Sequence, residues 1–300
     1  MVLFLLVQIR SIQIYAGHQA SKFFSEKFKT RVEIGSLEID FFKKVVLDDV
    51  YIEDLHHDTL LYSKKLKIDI GSIDLEKHQL YVSDIMLLNT KSKLIKYLKE
   101  DDLNFQFIID AFASSDTTKS KPSVPWDIQF GAVNLVNTDF TYRSEHDTLE
   151  TTGVNYFDLN VKHVNSRITD IKFEQDTIHA TIDYLAAVEK SGFILQNLSC
   201  YVNLSPVGMK LDELRIKTPE SEIATDLSFK YDNYRAFQDF IDAVKIKAEF
   251  DHSHVEMSDI AYFAPQLKGI YRNITLTGKV SGTVSDLKGK DMELKIASNT

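Results

Sequence analysis

From residue 30 onwards, apolar and polar side chains alternate with a period of two, segment after segment. Leu66, Ile68 and Ile70 alternate with Lys65, Lys67 and Asp69. Ile178, Ala180, Ile182 and Tyr184 alternate with Thr177, His179, Thr181 and Asp183. Ile223, Leu227 and Phe229 share a parity with Thr225, and Val244, Ile246, Ala248 and Phe250 alternate with Lys245, Lys247, Glu249 and Asp251. Ile274, Leu276, Val280 and Val284 share a face with Gly278 and Gly282, while Thr275, Thr277, Lys279, Ser281 and Thr283 take the other. Such alternation gives each strand one apolar and one wet face. It predicts antiparallel meanders rather than a parallel sheet buried on both sides, whose strands read as unbroken apolar runs.

Helices are few in this pattern. Ile12, Ala16, Ala20, Phe24 and Phe28 recur every fourth residue, with Phe23 widening the stripe, and predict an amphipathic helix over 11–29. Short helices or turns are expected at 92–98, 104–112, 234–244 and 258–263. So few helices cannot cover so much one-sided sheet. Either two sheets face each other as a sandwich, or one long sheet curls on itself with its apolar face inward. The fold class expected is therefore mostly β: a long curled antiparallel sheet with an N-terminal helix and few short helices.

The polar run at 114–125, with two prolines, reads as a linker or a long loop. It divides a first β unit at 30–113 from a continuing β region at 126–300. Three stretches, 46–54, 79–89 and 127–142, each join a short apolar strand, a polar kink and a second strand, without a fixed period. Residues 2–9 are apolar apart from Gln8 and are stopped by Arg10. Eight helical residues span about 12 Å, against the roughly 20 residues a bilayer needs. They read either as a buried first turn or as the end of a membrane anchor, so that 1–29 is an anchor end plus the amphipathic helix.

Composition narrows the chemistry. The 300 residues carry 35 Lys+Arg against 44 Asp+Glu, a net charge of −9. That argues against a nucleic-acid partner, which needs clustered positive charge. A single cysteine, Cys200, excludes an intramolecular disulfide framework and a Cys-based zinc cluster. Among nine histidines the best metal candidates are His252 and His254, which share a strand face beside Asp251 and Glu256 but lack a clustered third ligand. No nucleophile elbow, Walker A string or G-x-G-x-x-G occurs. Asp48-Asp49 and Asp101-Asp102 fall where turns need aspartate for backbone reasons. The chain reads as non-enzymatic, with no cofactor.

Residues 30–75, TRVEIGSLEIDFFKKVVLDDVYIEDLHHDTLLYSKKLKIDIGSIDL, followed by MSDIAYFAPQLKG (257–269) and ITLTGKVSGTVSDLKGKDMEL (274–294), resemble the N-terminal region of TamB-like proteins of the AsmA-like superfamily, in the form common in Bacteroidetes. The three strings bracket nearly the whole chain. The resemblance implies an envelope protein held in the inner membrane by one N-terminal helix, with a periplasmic β-groove. Such a groove moves phospholipid between the membranes, or assists assembly of outer-membrane proteins. It implies further an outer-membrane β-barrel partner reached through a C-terminal domain that would follow residue 300. Expected groove positions are Ile68 and Ile70; Ile182; Leu227 and Phe229; Val244, Ile246 and Phe250; and Ile274, Leu276 and Val280. Three readings of different class stay open: a conduit for acyl chains, a scaffold pairing with client strands, and a closed β-sandwich interaction module.

Overall fold

The period-two segments form strands, and every strand joins one sheet. The computed structural model describes residues 9–40, 43–113, 127–146 and 153–296. The protein is 63% strand and 15% helix, and its thirteen-stranded sheet is not closed into a barrel. The strands lie in the sheet in chain order. A sandwich of two sheets is therefore not what this sequence makes. Residues 2–8 and the expected linker at 114–125 lie outside the described residues.

The chain divides into two compact units, 1–149 with 155–165, and 150–154 with 166–300. The division falls near residue 165. The first unit holds helix α1 (Arg10–Phe28), strands β1 (Val32–Asp40), β2 (Lys44–Glu53), β3 (Thr59–Asp74) and β4 (Gln79–Lys96), helix α2 (Gln106–Ala113) and β5 (Asp127–Ser144). Strand β6 (Asp158–Glu174) contributes residues to both units. The second holds β7 (Thr177–Glu189), β8 (Ile194–Ser205), β9 (Gly208–Lys217), β10 (Glu222–Lys230), α3 (Phe240–Ala243), β11 (Lys245–Glu256), α4 (Met257–Ile260), β12 (Asn273–Thr283) and β13 (Asp286–Ile296).

Two expectations about elements are corrected. Residues 92–96 are the end of β4 rather than a helix, because they pair with β5 from Ser92↔Phe140 to Lys96↔Ser144, with Ser92 alone also pairing with β3. The antiparallel expectation fails between β4 and β5, which run parallel from Gln79↔Asp127 to Lys96↔Ser144. Parallel neighbours need a crossover rather than a hairpin. The described part of the connection after Lys96 carries α2.

Helix α1 packs against the edge of β1, but not through the stripe its periodicity suggests. Ile12 is exposed, and the buried positions are Gln13, Gly17 and Phe28. Gly17, Ser21 and Ser25 lie four residues apart on the face that meets β1. Ser21 Oγ accepts from Ile34 N at 2.8 Å, and Ser25 Oγ accepts from Val32 N at 2.9 Å. A Cβ on Gly17 would sit 2.8 Å from the Ile34 carbonyl oxygen. The helix meets a backbone edge, where hydroxyls and a missing side chain matter more than apolar area.

Most strands are kinked at a left-handed residue. Asp49, Asn89, Asn137 and His163 in the first unit have φ of 52°, 49°, 50° and 53°; Glu213 and His252 in the second have 53° and 43°. Asp, Asn and His accept this conformation at lower cost than β-branched residues. The residue after each is buried: Val50, Thr90, Thr138, Val164, Leu214 and Ser253. The three stretches read as strand, kink and strand are single strands that carry Asp49, Asn89 and Asn137. Side chains of the adjacent strand hold the bent backbone: Asn137 N donates to Asn165 Oδ1 at 3.0 Å, His163 N to Asp139 Oδ1 at 3.2 Å, and Glu213 N to Asp226 Oδ1 at 2.8 Å.

Candidate functional site

Pairing register turns one-sided strands into transverse apolar rows. In the first unit Leu37 faces Leu47, Leu47 faces Leu66, Leu66 faces Leu87, and Leu87 faces Leu135. Next to this row lies another, Ile39, Val45, Ile68, Ile85 and Val133. Each row crosses five strands without a charged side chain. All ten side chains are half-buried, neither sealed in a core nor free in solvent. Ile68 falls in the second row as expected. Ile70 pairs with Val82 between two irregularities of register.

The second unit repeats the arrangement over seven strands. One row runs Ile178, Leu204, Met209, Phe229, Ile246, Gly282 and Leu287. The next runs Ala180, Val202, Leu211, Leu227, Ala248, Val280 and Gly289. Beyond the kinks, Ile182 faces Cys200, Phe250 faces Thr225 and Gly278, Leu276 faces Leu294, and Ile274 faces Val255 and Ile296. Ile178 is 36% exposed, and Leu294 and Ile296 are each 52% exposed, so this face is open at both margins. Gly278, at φ 124°, lets β13 approach: a Cβ there would lie 2.5 Å from the Asp291 carbonyl oxygen.

The structure thus brings Leu227, Phe229, Ile246, Ile274, Leu276 and Val280 into neighbouring rows, with Ile182 and Phe250 beside them. Val244 is the exception. It is fully buried where α3 meets β11, and it offers no surface to a ligand.

Two aromatic groups that the strand pattern did not single out border this face. Around Phe229, the Phe237 and Phe240 rings lie at 6.5 and 6.0 Å, and Phe237 lies 4.9 Å from Tyr231. Buried Tyr231 donates to the Ser205 carbonyl at 2.9 Å, which ties this aromatic group to the end of β8. At the opposite strand ends, Phe193 in the β7–β8 turn meets Tyr262 at 5.7 Å and Phe263 at 4.9 Å. The latter two belong to the MSDIAYFAPQLKG string, which forms α4 and the turn after it. Asp259 of that string latches it down: its Oδ2 accepts from Thr218 Oγ1 at 2.5 Å and Ser221 Oγ at 2.6 Å. The string therefore straps the ends of β7 to β11. The signals for both groups were Phe237 and Phe240 three residues apart and the adjacent Tyr262 and Phe263, each pair in a short non-strand segment.

Polar chemistry lies elsewhere. Asp54, fully buried at the end of β2, accepts from the backbone N of His56 and Asp58 at 2.9 Å, from Tyr97 Oη at 2.7 Å and from Asn104 Nδ2 at 2.8 Å. Burial and the Asp54 carboxylate push the Tyr97 hydroxyl far above its ordinary range. His56 stacks on Tyr97 at 3.8 Å between centroids and reaches Glu100 Oε1 at 2.6 Å. Four donors on one carboxylate make a structural clasp between the β2–β3 turn and the segment after β4. Cys200 is buried, and burial raises its thiol to about 11. Among the described residues no group of three His, Cys, Asp or Glu side chains gathers as a metal site. His252 instead sits 2.8 Å from its neighbour Asp251, both exposed.

No family model matches the chain, and no curated protein or solved structure matches it.

Proposed function

We propose that the apolar rows carry the acyl chains of phospholipids, and that the protein is a non-enzymatic lipid conduit of the cell envelope. The observation that carries this reading is the set of charge-free apolar rows, half-buried across five strands in one unit and running from exposed Ile178 to exposed Leu287 across seven strands in the other. A row of leucines in a closed core would be sealed, whereas these side chains keep part of their surface open. An acyl chain laid on them gains roughly 0.8 kcal/mol per buried methylene, without a specific headgroup site. Charge on such a face costs several kcal/mol, which is consistent with the rows lacking it. The envelope setting, with an inner-membrane anchor and a periplasmic body, rests on the resemblance of the three sequence strings. No helix among the described residues is long and apolar enough to cross a membrane.

The test uses photo-crosslinking side chains in cells. At Leu66, Ile246 and Leu276 they are expected to capture phospholipid, and at Lys67 and Thr275 on the other face they are not. Leu66→Glu and Ile246→Glu are expected to abolish transport. Equal labelling of both faces would refute the conduit.

A second reading, a scaffold for outer-membrane protein strands, is favoured by β13. It lies at the end of the strand order, and all eleven residues from Asp286 to Ile296 are exposed. A crosslinker at Met292 that captures an outer-membrane protein, with none at Leu66, would favour this reading over the first.

A further inference from the structure

On the polar face of β9 to β13, a row of lysines and serines lies next to a row that holds Asp226, Glu249 and Lys279. Ser228 faces Lys210 on one side and Lys247 on the other. Lys230, two residues further along β10, lies directly opposite Lys245. Ser281 faces Lys247 and Lys288. Lys210, Ser228, Lys247, Ser281 and Lys288 thus form a transverse row, with lysines on alternate strands roughly 10 Å apart.

Some lysines of the sheet have acids, Lys64 with Asp49 at 2.7 Å, Lys65 with Asp48 at 3.0 Å and Lys217 with Glu222 at 2.6 Å, while others, such as Lys67, Lys91 and Lys162, have none among the described residues. Among the described residues, Lys210, Lys230, Lys245, Lys247 and Lys290 have no carboxylate within the 4.0 Å of an ion pair. Like charges directly opposite each other destabilise a sheet. In a chain of net charge −9, acidic side chains were not in short supply to relieve them.

The row also lies over a hollow. A shallow depression of about 340 Å³ is lined by Lys210, Lys247, Lys279 and Lys290, by Ser228 and Ser281, and also by Leu227, Ala248 and Val280 of the second apolar row. Three acids share its lining. Glu249 is taken by Lys279 at 2.9 Å and Asp226 accepts from Glu213 N at 2.8 Å, which leaves Lys210, Lys247 and Lys290 against Asp212 and Asp226, an excess of one positive charge. The outer row keeps an excess of positive charge, since only Lys288 has an acid, Asp286 at 3.3 Å.

We infer that this depression binds a phosphate group, carried by an anionic lipid headgroup or by a soluble phosphate ester. Lysine ammonium groups on flexible stems converge on a phosphate as point charges, and serine hydroxyls add neutral donors at fixed positions. The inference does not rest on the acyl-chain reading, because it uses the lysines and serines on the opposite face of the strands.

The full chain is titrated with glycerol 3-phosphate by calorimetry, and floated with phosphatidylcholine vesicles with and without phosphatidylglycerol. Binding of the ester, preferential binding of the anionic vesicles, or both, is expected; which of them occurs tells the two sources apart. The Lys210→Gln, Lys247→Gln double variant removes both charges while leaving polar side chains and is expected to weaken that binding about tenfold, with a circular-dichroism spectrum like the parent's. Ile246→Glu is expected to leave glycerol 3-phosphate binding unchanged, which separates failure here from failure of the lipid conduit. The inference is overturned if neither probe binds, or if binding is the same in the double variant.

Discussion

Gly17 and Asp259 show how single residues hold this sheet. Gly17→Leu would drive a side chain into the Ile34 carbonyl, 2.8 Å from the position of its Cβ. Helix α1 would have to lift, and Ile34 N and Val32 N would lose Ser21 and Ser25. We expect a loss of about 2–3 kcal/mol in urea unfolding, against about 1 kcal/mol for Ser21→Ala, which removes a single acceptor. Asp259→Ala strands two hydroxyls that are 2.5 and 2.6 Å from one oxygen. A cost of about 1–3 kcal/mol is expected, with faster amide exchange through 257–269 and little change in β1 to β5. Equal acceleration throughout would show that the strap is not a separate cooperative piece.

At the scale of the strand, the kinks decide what a substitution does. Asn137 sits at φ 50°, and its side chain donates to Asn89 Oδ1 at 2.7 Å. Asn137→Gly keeps the backbone conformation and is expected to cost less than about 1 kcal/mol. Asn137→Val combines β-branching with a left-handed residue and should cost about 2 kcal/mol or more; equal thermal shifts for the two would exclude the kink as the cause. These kinks also mark the limit of what the sequence discloses. Alternation within a strand was legible, and it placed Ile246, Leu227 and Leu276 on the apolar face. The leucine row from Leu37 to Leu135 was not, because it exists only once five strands are in register. Residues 92–98 have the spacing of a helix, yet pairing with β5 makes most of them strand. The stripe on α1 misled because an apolar count cannot see a helix that docks on backbone through Gly17, Ser21 and Ser25. Parallel pairing of β4 with β5 leaves no mark in either strand's own alternation.

For the whole molecule, acid is the condition to test. Lys64 holds the Asp49 carboxyl below the usual range, Lys217 does the same for Glu222, His252 for Asp251 and Lys295 for Glu293. Each folded value lies below the unfolded one, so the stabilisation is complete above the ordinary carboxylate range and is lost as pH falls through the folded values. Urea midpoints are expected to hold level from pH 7 to about 5 and to drop below about 4. Lys64→Met should flatten part of that drop; an unchanged slope would show that Asp49 has no share in it. The two edges of the sheet behave differently again. β1 has its edge amides occupied by serine hydroxyls, while β13 is bare along its length, and every strand between them neighbours its immediate predecessor in the chain. A chain threaded out N-terminus first would therefore always find its next docking partner already formed and waiting. The sheet can be laid down in one direction as it emerges, with the earliest edge shut against wrong pairing and the newest one left receptive.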